Sequence, residues 1–149
     1  MTDFSVTIAF GLVRRLAAAG TETPSLYLLI SDAGAIRAVQ ADIAAEVQVQ
    51  LGVGLRSLTA AEVRLDRLEG AFKRYPDRPV TLITLDRWLP KLVTALDRNV
   101  VSLTRRGSVL LLADQGVAER MLSAAPNLRN RLSDVLAIRP EEVLGGPMA

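Results

Sequence analysis

The chain contains no cysteine and no histidine. Without cysteine there is no disulfide, no thiolate metal site and no thiol nucleophile. Without histidine the commonest general base, the commonest metal ligand and the usual pH switch are missing as well. An enzyme built on this chain would have to work with Asp, Glu, Arg, Lys, Ser, Thr or Tyr, which weighs against hydrolysis. Aromatic residues make up only 4%, so the core must be assembled from Leu, Val, Ile and Ala. Lysine is scarce too. Lys73 and Lys91 are the only two, so arginine carries almost all the positive charge. No stretch reaches the ~20 apolar residues needed to cross a bilayer.

What is present describes a folded domain. The 149 residues are 50% apolar and 23% charged, the balance of a globular chain long enough to bury its own core. We expect one domain over residues 1–140 and a loose tail over 141–149, where Gly145-Gly146-Pro147 breaks any periodicity. Eighteen basic residues against sixteen acidic leave a net charge of +2. Arginine suits bidentate contacts with carboxylates and phosphates. Here, however, the arginines are interleaved with acids and have no aromatic partners, so nucleic-acid binding is not expected. The run from Phe4 to Leu16, followed by Ala17-Ala18-Ala19-Gly20, resembles a leader with a cleavage site. Asp3 and Arg14-Arg15 contradict that reading. It reads better as a helix with Phe4, Ile8 and Leu12 on one side, in a cytoplasmic protein.

The remainder alternates in period. Leu26 to Ile30 and Val109 to Ala113 are short, continuous apolar runs, and Val80 to Leu85 is a run of apolar and β-branched residues ending on Asp86, as buried parallel strands are. Val53 to Leu58 and Val135 to Ile138 read as weaker strands. Between them lie helical patterns. Ile36, Val39, Ile43, Val47 and Leu51 precede a Gly52 stop. Thr59 and Glu62 form a capping box ahead of Val63, Leu65, Leu68 and Phe72. Leu89 to Leu103 makes one long apolar face with Pro90 in its first turn and Gly107 as its end. A short helix over 116–125 and a helical turn or two over 127–133 complete the pattern. The fold class expected is α/β, in three layers, with a mostly parallel five-stranded sheet and helices on both faces.

In such a sheet, ligands bind at the carboxyl ends of the strands. That edge should present Ser31, Asp32, Gly34, Arg56, Thr59, Asp86, Arg87, Trp88, Asp114, Gln115 and Arg139. Asp86 and Asp114 each follow a buried strand directly. As a pair they could hold Mg2+ or position a water, or each could cap the helix that follows. The loop Ser31-Asp32-Ala33-Gly34-Ala35-Ile36-Arg37 has one glycine and no lysine, and Asp32 there would repel a phosphate. Trp88, the only tryptophan, could stack on a base, mark a partner surface or fill space beside Pro90. Arg129 and Arg131 could project to one rim, while Arg105-Arg106 suit a helix carboxyl end. Ser31, Thr59, Ser102 and Ser123 have no histidine to activate them.

Three segments of the second half form a recurring pattern: Leu96-Asp97-Arg98-Asn99-Val100-Val101, the strand Val109 to Ala113, and Ala124-Ala125-Pro126-Asn127-Leu128-Arg129. This pattern resembles the carboxyl-terminal half of the ATPase-like domain in bacterial STAND-type proteins of signalling and defence. The resemblance implies that Val80 to Asp86 stands for the Walker B strand and that Asp114 follows the sensor strand. Asn127 replaces the usual acid, no tryptophan follows Leu128, and the Walker A lysine is missing, so ATP hydrolysis does not carry over. The expectation is therefore a non-catalytic adaptor or regulatory module on a degenerate P-loop fold, touching a protein partner through Arg87, Trp88 and Arg129. That partner could be encoded beside it or be a second copy. The alternative is a nucleotide-binding regulator or weak NTPase using Asp86 and Asp114, with Asp32 nearby, Mg2+ and a nucleotide. A receiver-like acidic switch at Asp32 and Asp86 ranks below both, because no strand-end lysine completes it.

Overall fold

A computed structural model describes residues 4–19, 25–59, 80–103 and 107–138. The capping-box helix after Thr59, Arg105-Arg106, Arg139 and the expected tail at 141–149 lie outside the described residues. The elements are α1 (Phe4–Ala19), β1 (Leu26–Ser31), a 3-10 turn (Ala33–Ala35), α2 (Ile36–Leu51), β2 (Arg56–Thr59) and β3 (Val80–Leu85). They continue with α3 (Pro90–Arg98), α4 (Val100–Leu103), β4 (Ser108–Ala113), α5 (Gln115–Ala124), α6 (Pro126–Arg131) and β5 (Asp134–Ile138).

The five strands form one sheet in the order β2-β3-β4-β1-β5, and every pairing is parallel. β3, β4 and β1 occupy the middle, which explains why they are mostly apolar and β-branched, with only Ser31, Thr81, Thr84 and Ser108 as buried polar residues. All six positions of β3 and all six of β4 are buried. The side-chain period of two divides these residues between two cores. On one face Leu28, Ile83, Leu85, Leu111 and Ala113 pack against Leu92, Val93 and Leu96 of α3, Val117 and Met121 of α5, and Leu128 of α6. On the other, Tyr27, Leu29, Leu82, Leu110 and Leu112 pack against Leu12 and Val13 of α1 and Val39, Ile43 and Val47 of α2. Helices on both faces make the three-layer α/β fold.

Two elements depart from the sequence pattern. The long helix expected up to Leu103 is interrupted at Asn99, whose side chain Nδ2 and backbone N–H both donate to the Ala95 carbonyl. β2 begins at Arg56 rather than Val53, because the chain must first leave the left-handed Gly52 (φ 70°) that ends α2.

Candidate functional site

The connections divide between β1 and β4. From β1 the chain leaves through α2 toward one edge strand, β2, and from β4 it leaves through α5 and α6 toward the other, β5. This is the switch point at which sheets of this kind bind ligands. Register places the candidate acids at one level. Ala113 pairs with Ile30 on one side and Leu85 on the other. Asp114 and Asp86 therefore emerge side by side, with Ser31 level with them and Asp32 one residue further out. Adjacent strands lie about 4.8 Å apart, so three acidic positions share one short stretch of rim.

Their environments differ. Asp114 is committed to structure: its Oδ1 accepts a hydrogen bond of 2.9 Å from the Val117 backbone N–H and so caps α5. Asp86 is exposed and follows β3 directly. Asp32 is also exposed, and its side chain caps nothing. Its backbone carbonyl accepts bonds from the Ala35 N–H and the buried Ser31 hydroxyl, closing the loop as a 3-10 turn. Among the described residues no group of three or more acids is arranged to hold a metal ion.

This turn occupies the position where a phosphate-gripping loop would be needed. A cradle requires several backbone N–H groups converging on an anion, with a lysine to neutralise it. Here the loop turns within a few residues around a carboxylate, and neither the loop after β1 nor α2 contains a lysine. The residues present do not fit a nucleotide's phosphates in that manner. Below the rim, Gln40 of α2 donates a 2.7 Å hydrogen bond from Nε2 to the hydroxyl of buried Thr84 on β3.

Arg87 is exposed and Trp88 is half-buried. Trp88 packs against the core that α3, α5 and α6 share with the sheet. The guanidinium of Arg120, on α5, lies over its ring at 4.6 Å from the centroid. Arg120 was not legible in the sequence, because thirty-two positions separate it from Trp88 and no local period links them. Arg129 is elsewhere. Its carbonyl accepts from the Leu132 N–H, and the adjacent Ser133 exchanges hydrogen bonds with Leu26 at the start of β1. Arg129 therefore sits near the amino-terminal edge of the sheet, away from Arg87 and Trp88. Arg56 is likewise not on the carboxyl rim: it opens β2 level with Thr81 and is buried.

The structure also joins two of the three segments singled out in the second half of the sequence. The carboxylate of Asp97, in α3, accepts from the Leu128 backbone N–H at 2.8 Å through Oδ1 and from Asn127 Nδ2 at 3.2 Å through Oδ2. It thus supplies from a neighbouring helix the cap that Ala125 cannot give α6.

Solved structures share this architecture. The chain resembles the ORC2 protein of Aeropyrum pernix in its ADP form, with a TM-score of 0.58 and 13% identity over 91% of this chain and 47% of that one. It also resembles Drosophila ORC bound to AT-rich DNA and Cdc6, with a TM-score of 0.54 and 10% identity over 95% and 31% of the respective chains. The likeness is one of fold: a parallel five-stranded sheet between two layers of helices. The chain spans less than half the length of either solved chain. No protein-family model matches it, and neither does any curated protein sequence.

Proposed function

We propose that this chain is a non-catalytic interaction module on a P-loop-like fold, and that it docks a protein partner at the rim carrying Asp86, Arg87 and Trp88. The observation that carries the proposal is the setting of Trp88. The core holds one part of the indole and Arg120 stacks on it, so the ring is presented in a fixed orientation next to two exposed charges. A rigid aromatic flanked by arginine is the usual anchor of a protein interface. The turn at Ala33–Ala35 and the capping duty of Asp114 support the non-catalytic half of the reading. Arg129, on the opposite edge, would belong to a separate contact.

A second reading, a nucleotide-binding regulator using Asp86 with Mg2+, draws support from the likeness to a protein solved in its ADP form. Thermal unfolding with and without ATP, GTP and magnesium separates the two. A nucleotide at ~100 times its dissociation constant adds about 2.7 kcal/mol to stability. No shift in Tm is expected. An upward shift of several degrees, lost in Asp86→Asn, would replace the interaction module with the nucleotide-binding regulator. With a candidate partner in hand, Arg87→Glu should weaken the complex while leaving Tm unchanged, because the side chain is exposed.

A further inference from the structure

The opposite layer carries a surface of its own. α2 runs from the carboxyl edge of the sheet, where it leaves β1, to the amino edge, where it leads into β2. α1 ends at that same amino edge, because Arg15 lies 3.9 Å from Asp134, the first residue of β5. The two helices therefore point the same way. They are tied together where Gln50 Nε2 of α2 donates to the Phe10 carbonyl of α1 at 3.1 Å.

This tie fixes an order of side chains along the outer surface. Glu46 stands one turn above Gln50, and its Oε2 accepts from Gln50 Nε2 at 2.9 Å. Phe10 lies level with Gln50 and is 46% exposed, and Val49, beside Gln50, is 79% exposed. Arg14 stands one turn below Phe10 with its guanidinium 6.0 Å from the ring centroid. Along the helices the surface therefore reads acid, apolar pair, base. Phe10 and Val49 are two of the four large apolar side chains that the described residues leave exposed.

We infer that this face of α1 and α2 pairs with a second copy of the chain about a two-fold axis that crosses the helices at the level of Phe10 and Val49. Such an axis reverses the direction along the helices while keeping α1 and α2 on their own sides. It brings Arg14 of one copy level with Glu46 of the other across the cleft between the helices, twice, and closes Phe10 and Val49 against their counterparts. A two-fold interface must be self-complementary, and the acid–apolar–base order has that property. The opposite order of charge on the two ends also disfavours the parallel arrangement, which would bring the two Arg14 side chains to one level and the two Glu46 side chains to another. The pairing is independent of the Trp88 rim, which belongs to the other layer of the molecule.

Sedimentation velocity over a range of concentrations tests this. The wild-type chain should shift from the 16.1 kDa monomer to twice that mass as concentration rises, and the dimer should weaken in high salt. Arg14→Glu and Glu46→Arg should each abolish the shift, and the double variant should restore it. Val49→Arg, at the most exposed apolar position, should also leave a monomer, and circular dichroism should show it folded. A monomeric wild type overturns the inference. So does a dimer that survives Arg14→Glu and Val49→Arg, and so does a double variant that stays monomeric.

Discussion

A carboxylate on this chain acts according to what it faces, and the acids that sequence reading brings together separate on that basis. Asp114 follows a buried strand three residues before Val117, and its cap on α5 could be read from that spacing. Asp97 could not. It acts on Leu128, thirty-one positions away, and only the packing of α3 on α6 brings them together. Asp97→Ala should therefore cost about 1 kcal/mol, the usual worth of a lost cap, as a lowered midpoint in urea unfolding. Asp97→Asn keeps an acceptor oxygen and should lose less. Arg120 is the other residue that sequence alone hides. Arg120→Ala removes the cation over Trp88 and should cost about 0.5 to 1 kcal/mol. It should also change the emission of the sole tryptophan, since one face of the indole loses its cover. If emission is unaltered, the stack does not persist in solution and Trp88 is not held as an anchor.

At the scale of elements, legibility followed burial. β1, β3 and β4 announced themselves because both faces of each strand are covered, which leaves no polar alternation to confuse the period. β5 was weaker because it is an edge strand with Asp134, Val135 and Ala137 exposed. The break between α3 and α4 was invisible, since Leu96 and Val100 keep helical spacing across it while the Asn99 side chain adds a second bond to the Ala95 carbonyl. The stop of α2 was plain: Gly52 takes φ 70° and returns its N–H to the Gln48 carbonyl. A Cβ at Gly52 would meet nothing within 4 Å, so substitution there isolates the backbone effect. Gly52→Ala should destabilise by about 1 kcal/mol through the left-handed conformation alone. Gly52→Asn should lose less, because asparagine tolerates that region. Equal losses in denaturant titrations would show that the turn relaxes instead of holding its angle.

At the scale of the whole molecule, the described residues build two hydrophobic cores that share one sheet, and that arrangement sets how it should unfold. Strand order was beyond the sequence, because it depends on which strands pair across long separations, and no residue of β1 specifies that β4 and β5 will flank it. Once the order is known, β4 is seen to join the cores: Leu111 enters one and Leu110 and Leu112 the other, all fully buried. A strand cannot be lost from one face and kept on the other, so the cores should melt together. Trp88 packs only on the α3–α5–α6 side, whereas α1 and α2 contribute much of the helical signal from the opposite side. Leu112→Ala, which empties the α1–α2 core, should cost about 2 to 5 kcal/mol. It should lower the tryptophan-fluorescence midpoint and the far-ultraviolet circular-dichroism midpoint by the same amount, although Leu112 lies across the sheet from Trp88. If only the dichroism midpoint moved, the two layers would be separate cooperative units, and the partner face could unfold or rearrange without disturbing the rim that carries Trp88.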